Sequence, residues 1–197
     1  MSKQLIKDKL NKFGSLKEPF LFVLSYDLDK FYIEKLSSLP RDIKFQINEN
    51  QDISNMTKKI DLQKFPISFL EYKKKFDILQ EEIKNGNSYL LNLTAKTKIK
   101  TSYSLDEIYE NTNAKFKLRY KNLEDDFVCF SPERFVEIKK NRIFTYPMKG
   151  TIDANIPNAE ARILGDVKEM AEHTMVVDLL RNDLGIIGSK VRVEKFR

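Results

Sequence analysis

The sequence predicts an α+β fold in which antiparallel strands predominate. Three observations carry this expectation: helical stripes of apolar residues, short alternating runs between them, and a two-residue turn, Lys140-Asn141, joining two such runs. Of 197 residues 41% are apolar, enough for a sizeable packed core. No internal repeat, low-complexity stretch or linker rich in Pro and Gly divides the chain, so residues 1–197 are expected to form a single domain.

The elements follow in order. Leu5, Ile6, Lys9, Leu10 and Phe13 recur at helical spacing, and Gly14 is placed to cap that first helix. Residues 20–26 are nearly all apolar or aromatic, the composition of a strand buried on both faces, and residues 43–47 alternate like a second strand. Phe69, Leu70, Tyr72, Phe76, Leu79 and Ile83 form a helical stripe over residues 68–84 that Asn85-Gly86-Asn87 ends. Alternation over residues 88–100 predicts a long strand. Ser104 with Glu107 makes a capping box for a helix reaching about residue 118. Residues 127–130, 134–138 and 142–146 read as three short antiparallel strands, the last two joined by the Lys140-Asn141 turn. Asp166 with Glu169 caps a long final helix, and residues 189–194 read as a strand after Gly185 and Gly188.

Composition narrows the function. Lys and Arg number 35 against 29 Asp and Glu, a formal net charge of +6, but the two signs are interspersed. This is a solvated basic surface, and neither Lys73-Lys74-Lys75 nor Lys139-Lys140 requires a nucleic acid. A single cysteine, Cys129, excludes an internal disulfide and any multi-cysteine metal site, which suits a reducing cytoplasm. Residues 1–14 lack the continuous apolar core of a signal peptide, and no apolar run approaches the roughly 20 residues that span a bilayer.

The final helix carries the most chemistry. Glu169, Glu172, Val176, Leu180 and Asp183 share one face, while Val167, Met170, Ala171, Thr174 and Val177 lie on the other. A helix apolar on both faces is normally buried, so carboxylates on it need a cation or several donors. Glu169 and Glu172, one turn apart, can address one hard cation such as magnesium, which takes one or two carboxylates and keeps waters. Alternatively Glu169 completes the capping box and Glu172 pairs with a nearby Lys or Arg. His173 is read as a packing or supporting residue. Upstream, Pro147 and Gly150 bracket Lys149 at a strand end, where the chain turns and its backbone can approach a ligand closely. A lysine beside a glycine is ordinarily a surface residue, and no glycine-rich phosphate loop precedes this one.

In order and spacing, Tyr146-Pro147-Met148-Lys149-Gly150-Thr151, then Lys168-Glu169-Met170-Ala171-Glu172-His173 and Asp178-Leu179-Leu180-Arg181-Asn182-Asp183, resemble the signature of the chorismate-binding enzymes. Asn87 to Ala95 and Ser131-Pro132-Glu133-Arg134-Phe135 resemble further strings of that family, the latter with structural work around the pocket. The resemblance implies an anthranilate-synthase-like layered fold: two largely antiparallel sheets, flanking helices outside, and the active site between the sheets. It covers residues 86–197 well and the earlier part less closely. Family members continue well past this point, so the chain is expected to carry only the N-terminal portion of the domain and to turn over poorly alone.

By resemblance Lys149 is catalytic, Gly150 and Thr151 bind substrate, Glu172 binds Mg2+ directly and Glu169 holds the metal's water. Alanine at the Lys149 position goes with anthranilate and isochorismate synthases, and lysine with component I of aminodeoxychorismate synthase. That lysine is expected to attack C2 of chorismate as the 4-hydroxyl leaves, after which ammonia enters at C4 and expels it. Such a nucleophile needs desolvation or a nearby cation. Near Leu90 the water-using relatives carry a lysine, and leucine cannot activate water; aminodeoxychorismate synthases often have glutamine there, so Leu90 departs from their commonest pattern. Ala114-Lys115-Phe116 replaces the Pro-Tyr pair of amino-acid-sensing relatives. The implied activity is conversion of chorismate and ammonia to 4-amino-4-deoxychorismate, for 4-aminobenzoate and folate. A glutamine amidotransferase subunit would supply the ammonia, since Cys129 lacks the glycine-rich elbow of such a nucleophile. Anthranilate synthase component I is the alternative within the class. A non-catalytic module binding the amidotransferase subunit is the alternative outside it.

Overall fold

The computed structural model describes residues 2–47 and 61–196. They form five α-helices and nine short strands, and every strand pair is antiparallel, the mixed α+β architecture expected. The chain divides into two compact units, one built from Met1–Asn50 and Ala114–Arg197, the other from Gln51–Asn113.

In the first unit α1 (Ser2–Leu16) precedes a hairpin of β1 (Phe20–Leu24) and β2 (Phe31–Lys35), in register Phe20 to Lys35 through Leu24 to Phe31. Helix α1 packs against β2, and Ile6 and Ile33 are buried there at 5% and 6% exposure. Gly14 does not end α1; the left-handed residue that stops the chain is Lys17, at φ 53°. The apolar run at β1 is only half-buried, with Phe22 half exposed, because its partner is the adjacent β2 in a two-stranded sheet, too few strands to cover both faces.

The central sheet of this unit orders β3 (Lys44–Ile47), β6 (Phe116–Lys121) and β7 (Asp126–Ser131) side by side. The helix beginning after Ser104 therefore stops well short of residue 118. Alternating Phe116, Leu118 and Tyr120 pair with β3 on one edge and β7 on the other, and these non-local hydrogen bonds override helical spacing. Tyr120 is 5% exposed, stacks on Phe127 at 5.2 Å and meets Tyr32 edge-on at 5.7 Å. Arg119, 3% exposed, donates to Asp126 and to the carbonyls of Tyr120 and Phe127. A cleft of about 510 Å³ opens beside this cluster, lined by residues including Lys30, Tyr32, Tyr120 and Phe127, and it holds none of the sequence-predicted site residues.

Next come β8 (Glu137–Lys139) and β9 (Arg142–Phe144), joined through Lys140 and Asn141 at φ 49° and 61°. Two successive positive φ values make the tight hairpin turn expected there. A short helix not evident from the sequence, α4 (Ala159–Gly165), packs against α5 (Val167–Ile187). The carboxylate of Asp166 caps α5 by accepting from the Glu169 N–H at 2.9 Å. No residue of α5 is buried; Val167 and Ile186 are 83% and 82% exposed. A seven-residue helix cannot cover a partner of 21 residues, roughly 30 Å long, so the burial expected for a helix apolar all round is not met. Residues 189–194 form no strand: Lys190 at φ 58° breaks the extension.

The second unit contains β4 (Leu62–Phe65), α2 (Phe69–Lys84), β5 (Lys98–Thr101) and α3 (Leu105–Asn111). Ser68 caps α2, Gly86 at φ 76° follows it, and Ser104 and Glu107 form the reciprocal capping box of α3. Of the long strand expected over residues 88–100 only its end is extended and paired, because β4 offers four residues of partner.

Candidate functional site

The chain from β9 to the start of α5 brings the two sequence motifs together. Glu133 reaches across from the Ser131–Phe135 string and accepts the Met148 N–H on Oε1 at 3.2 Å, which holds the backbone beside Lys149. Ser131 braces this turn, its Oγ accepting from the Glu133 N–H at 3.2 Å and donating to the Glu133 carbonyl at 2.7 Å. Tyr146 donates its hydroxyl to Glu137 Oε2 at 2.7 Å, and Arg134 pairs with the same carboxylate while its guanidinium lies 5.3 Å from the Tyr146 ring centre. The Tyr146 hydroxyl, then the Arg134 charge, hold the Glu137 carboxyl below its ordinary range, and Glu137 in turn pushes the Tyr146 phenol up.

Gly150 is the hinge of the arrangement. Its φ of +89° suits glycine, and a Cβ there would stand 3.0 Å from Ile163 Cδ1 of α4 and 3.1 Å from Glu169 Oε2 of α5. The backbone next to Lys149 therefore lies directly against the first carboxylate of the α5 motif. Glu169 and Glu172 project from one side of α5, at 23% and 33% side-chain exposure. Between them sits the ammonium of Lys168, 3.0 Å from an oxygen of each. Hydrogen bonds to Glu172, then Glu169, push the Lys168 ammonium up to about 12.

Each sequence-predicted residue can now be placed. Gly150 and Glu169 meet, and Glu172 joins Glu169 through Lys168. Lys149 and Thr151 are exposed at the turn, so burial by the described residues does not desolvate Lys149. His173 donates from Nε2 to the Phe196 carbonyl at 2.7 Å, and the two rings meet edge-on at 4.9 Å. Leu90 belongs to the second unit. Two participants are not singled out by the sequence. Glu133 lies inside a string to which only general structural work is assigned, and Lys168, inside the α5 motif, shows its partner choice only once the helix is built.

Among the described residues no group of three or more His, Cys, Asp or Glu side chains converges to enclose a metal. No helix of the described residues is long and apolar enough to cross a membrane.

Residues 13–197 match the profile of the chorismate binding enzymes, which extends the likeness through β1 and β2 as well as the two motifs. An uncharacterized PabA-like protein of Pasteurella multocida is 44% identical over 202 residues, covering 100% of this chain and 61% of its own length. Aminodeoxychorismate synthase component 1 of Salmonella typhimurium is 33% identical over 126 residues, covering 58% of this chain and 27% of its own length. An anthranilate synthase component I-like protein of Synechocystis is 32% identical over 126 residues, covering 58% and 26%. The chain thus spans about three-fifths of the length of the first of these relatives. No solved structure matches. With the match running through nearly the whole chain and through both motifs that meet at Gly150, the chain belongs to the chorismate binding enzyme family.

Proposed function

We propose that the protein to which this chain belongs is aminodeoxychorismate synthase component I, converting chorismate and ammonia to 4-amino-4-deoxychorismate for 4-aminobenzoate and folate synthesis in the cytoplasm. The chain would form the N-terminal portion of a single chorismate-binding domain. The observation that carries this reading is Lys149, on a turn whose next residue rests against the Glu169 carboxylate. Glu172 and Glu169 would hold Mg2+. They fit it because a single cation, the Lys168 ammonium, already bridges them. When bound, the metal supplies a concentrated positive charge against an anionic substrate.

The chain's own residues have separable tasks. Glu133 fixes the Met148 amide and so the direction in which Lys149 leaves the backbone. Gly150 and Thr151 offer backbone and hydroxyl to the substrate at close range. Lys149 forms a bond from its neutral amine nitrogen to ring C2 while the ring double bonds shift and the C4–O bond breaks, and the proton the amine gives up goes to the departing hydroxyl, which leaves as water. Ammonia then bonds at C4, the double bonds shift back, and the lysine leaves C2 with its electron pair, taking up the proton that ammonia gives up and returning as the free amine. A glutamine amidotransferase subunit would deliver the ammonia.

The test is chorismate consumption with ammonium and magnesium, products separated by mass, comparing the parent sequence with Lys149→Ala. Aminodeoxychorismate formed by the parent and lost in the variant is the expected result, with a chorismate adduct on Lys149 when ammonium is withheld. Anthranilate as product would move the protein to the other synthase. The exposure of Lys149 favours a second reading, a non-catalytic module that binds the amidotransferase subunit. Binding of that subunit with no chorismate consumption would support it.

A further inference from the structure

We propose that Lys168 is the resident, exchangeable cation of the Glu169 and Glu172 pair, and that a divalent metal binds there by displacing its ammonium, so that Lys168 sets the metal concentration at which the site fills. The proposal rests on the reading of these two glutamates as the metal ligands.

The geometry is specific. Lys168 precedes Glu169 by one position and Glu172 by four, so its side chain lies along the same helix surface. Its Nζ stands 3.0 Å from Oε1 of Glu169 and 3.0 Å from Oε1 of Glu172. A magnesium ion bonding the same oxygens at roughly 2.0–2.1 Å, with its waters around it, needs the volume the ammonium fills. Two cations cannot share that point without strong mutual repulsion.

The three partners also differ in how easily they move. Lys168 is 71% exposed, against 23% for Glu169 and 33% for Glu172. Its ammonium can swing into water at small cost, because an exposed ion pair is worth little. Glu169 has less freedom, since its Oε2 lies close to the Gly150 backbone. The carboxylates thus keep their convergence when the lysine leaves. A tethered ammonium of this kind prevents two neighbouring carboxylates from repelling each other before metal arrives.

Mn2+ is the probe, with free Mn2+ read by electron paramagnetic resonance and helix content followed by circular dichroism. Three variants accompany the parent chain: Lys168→Met, Glu172→Gln, and Lys139→Met, which removes the same charge from the β8–β9 hairpin. Lys168→Met is expected to bind Mn2+ roughly 3- to 10-fold more tightly, the scale of two exposed ion pairs. Lys139→Met should stay within about twofold of the parent, as expected for a screened distant charge, and Glu172→Gln should bind more weakly. No gain in Lys168→Met, or an equal gain in Lys139→Met, overturns the proposal while leaving the metal site standing. Unchanged affinity in Glu172→Gln removes the metal reading itself, and the proposal falls with it.

Discussion

Gly150→Ala is the sharpest probe of the contact that joins the two motifs. A side chain at φ +89° leaves the regions L-residues favour, at a cost of about 1–2 kcal/mol. The new Cβ would also stand 3.0 Å from Ile163 Cδ1, 3.3 Å from Ile163 Cγ1 and 3.1 Å from Glu169 Oε2. Carbon atoms pack best at roughly 3.5–4.0 Å, so Ile163 and Glu169 must each yield, adding about 1 kcal/mol. Reduced freedom of the unfolded chain returns about 0.5 kcal/mol. The net expectation is a loss of about 2 kcal/mol, roughly a 30-fold change in the unfolding equilibrium. Urea unfolding followed by circular dichroism measures it, and a double-mutant cycle with Ile163→Val separates the two causes. Valine lacks Cδ1, so the steric part should shrink while the backbone part stays, giving a coupling of about 0.5–1 kcal/mol. A variant within about 0.5 kcal/mol of the parent would show that Gly150 does not sit against α4 and α5 as described.

Two further outcomes test the frame that carries this turn. Arg119→Met keeps the aliphatic stem but removes the donors to Asp126, Tyr120 and Phe127 inside the sheet, and should cost about 2–3 kcal/mol by the urea midpoint; a change under about 0.5 kcal/mol would deny that buried network a structural role. For Tyr146→Phe the expectation is a pH signature. Glu137 titrates below its ordinary 4.5 in the folded chain, so its bond to Tyr146 contributes fully above 4.5 and is lost as pH falls through the lowered folded value. Tyr146 titrates above its ordinary 10.0, so the contribution is full below 10.0 and is lost as pH rises through the raised folded value. The stability difference between Tyr146→Phe and the parent should therefore be widest and level between these limits and narrow on both sides, and a pH-independent difference would dissociate Tyr146 from Glu137.

Features governed by near neighbours along the chain are legible in the sequence itself. Ser68, Ser104 and Asp166 cap their helices because a short polar side chain reaches an N–H three positions on, whatever the remote chain does. Lys140-Asn141 turns the β8–β9 hairpin for an equally local reason. The residues Lys149, Gly150, Glu169 and Glu172 stand out through the resemblance of their strings to the family signature, since spacing alone fits a surface lysine and a capped, ion-paired helix equally well.

Partner choice is not. The alternation of Phe116, Leu118 and Tyr120 becomes a strand only because β3 and β7 are both available to satisfy its backbone, while similar alternation at residues 88–97 finds no such partner among the described residues. The sequence alone determined which chemical groups this protein has and which of them lie on one helix face, since a turn of helix is a local rule. Lys168 between Glu169 and Glu172 follows that same local rule, at one and four positions along α5. Only the tertiary structure decided that Glu133 anchors Met148 and that Gly150 rests on Glu169. Those contacts depend on which surfaces close over one another, and packing, unlike periodicity, is a property of the whole chain at once.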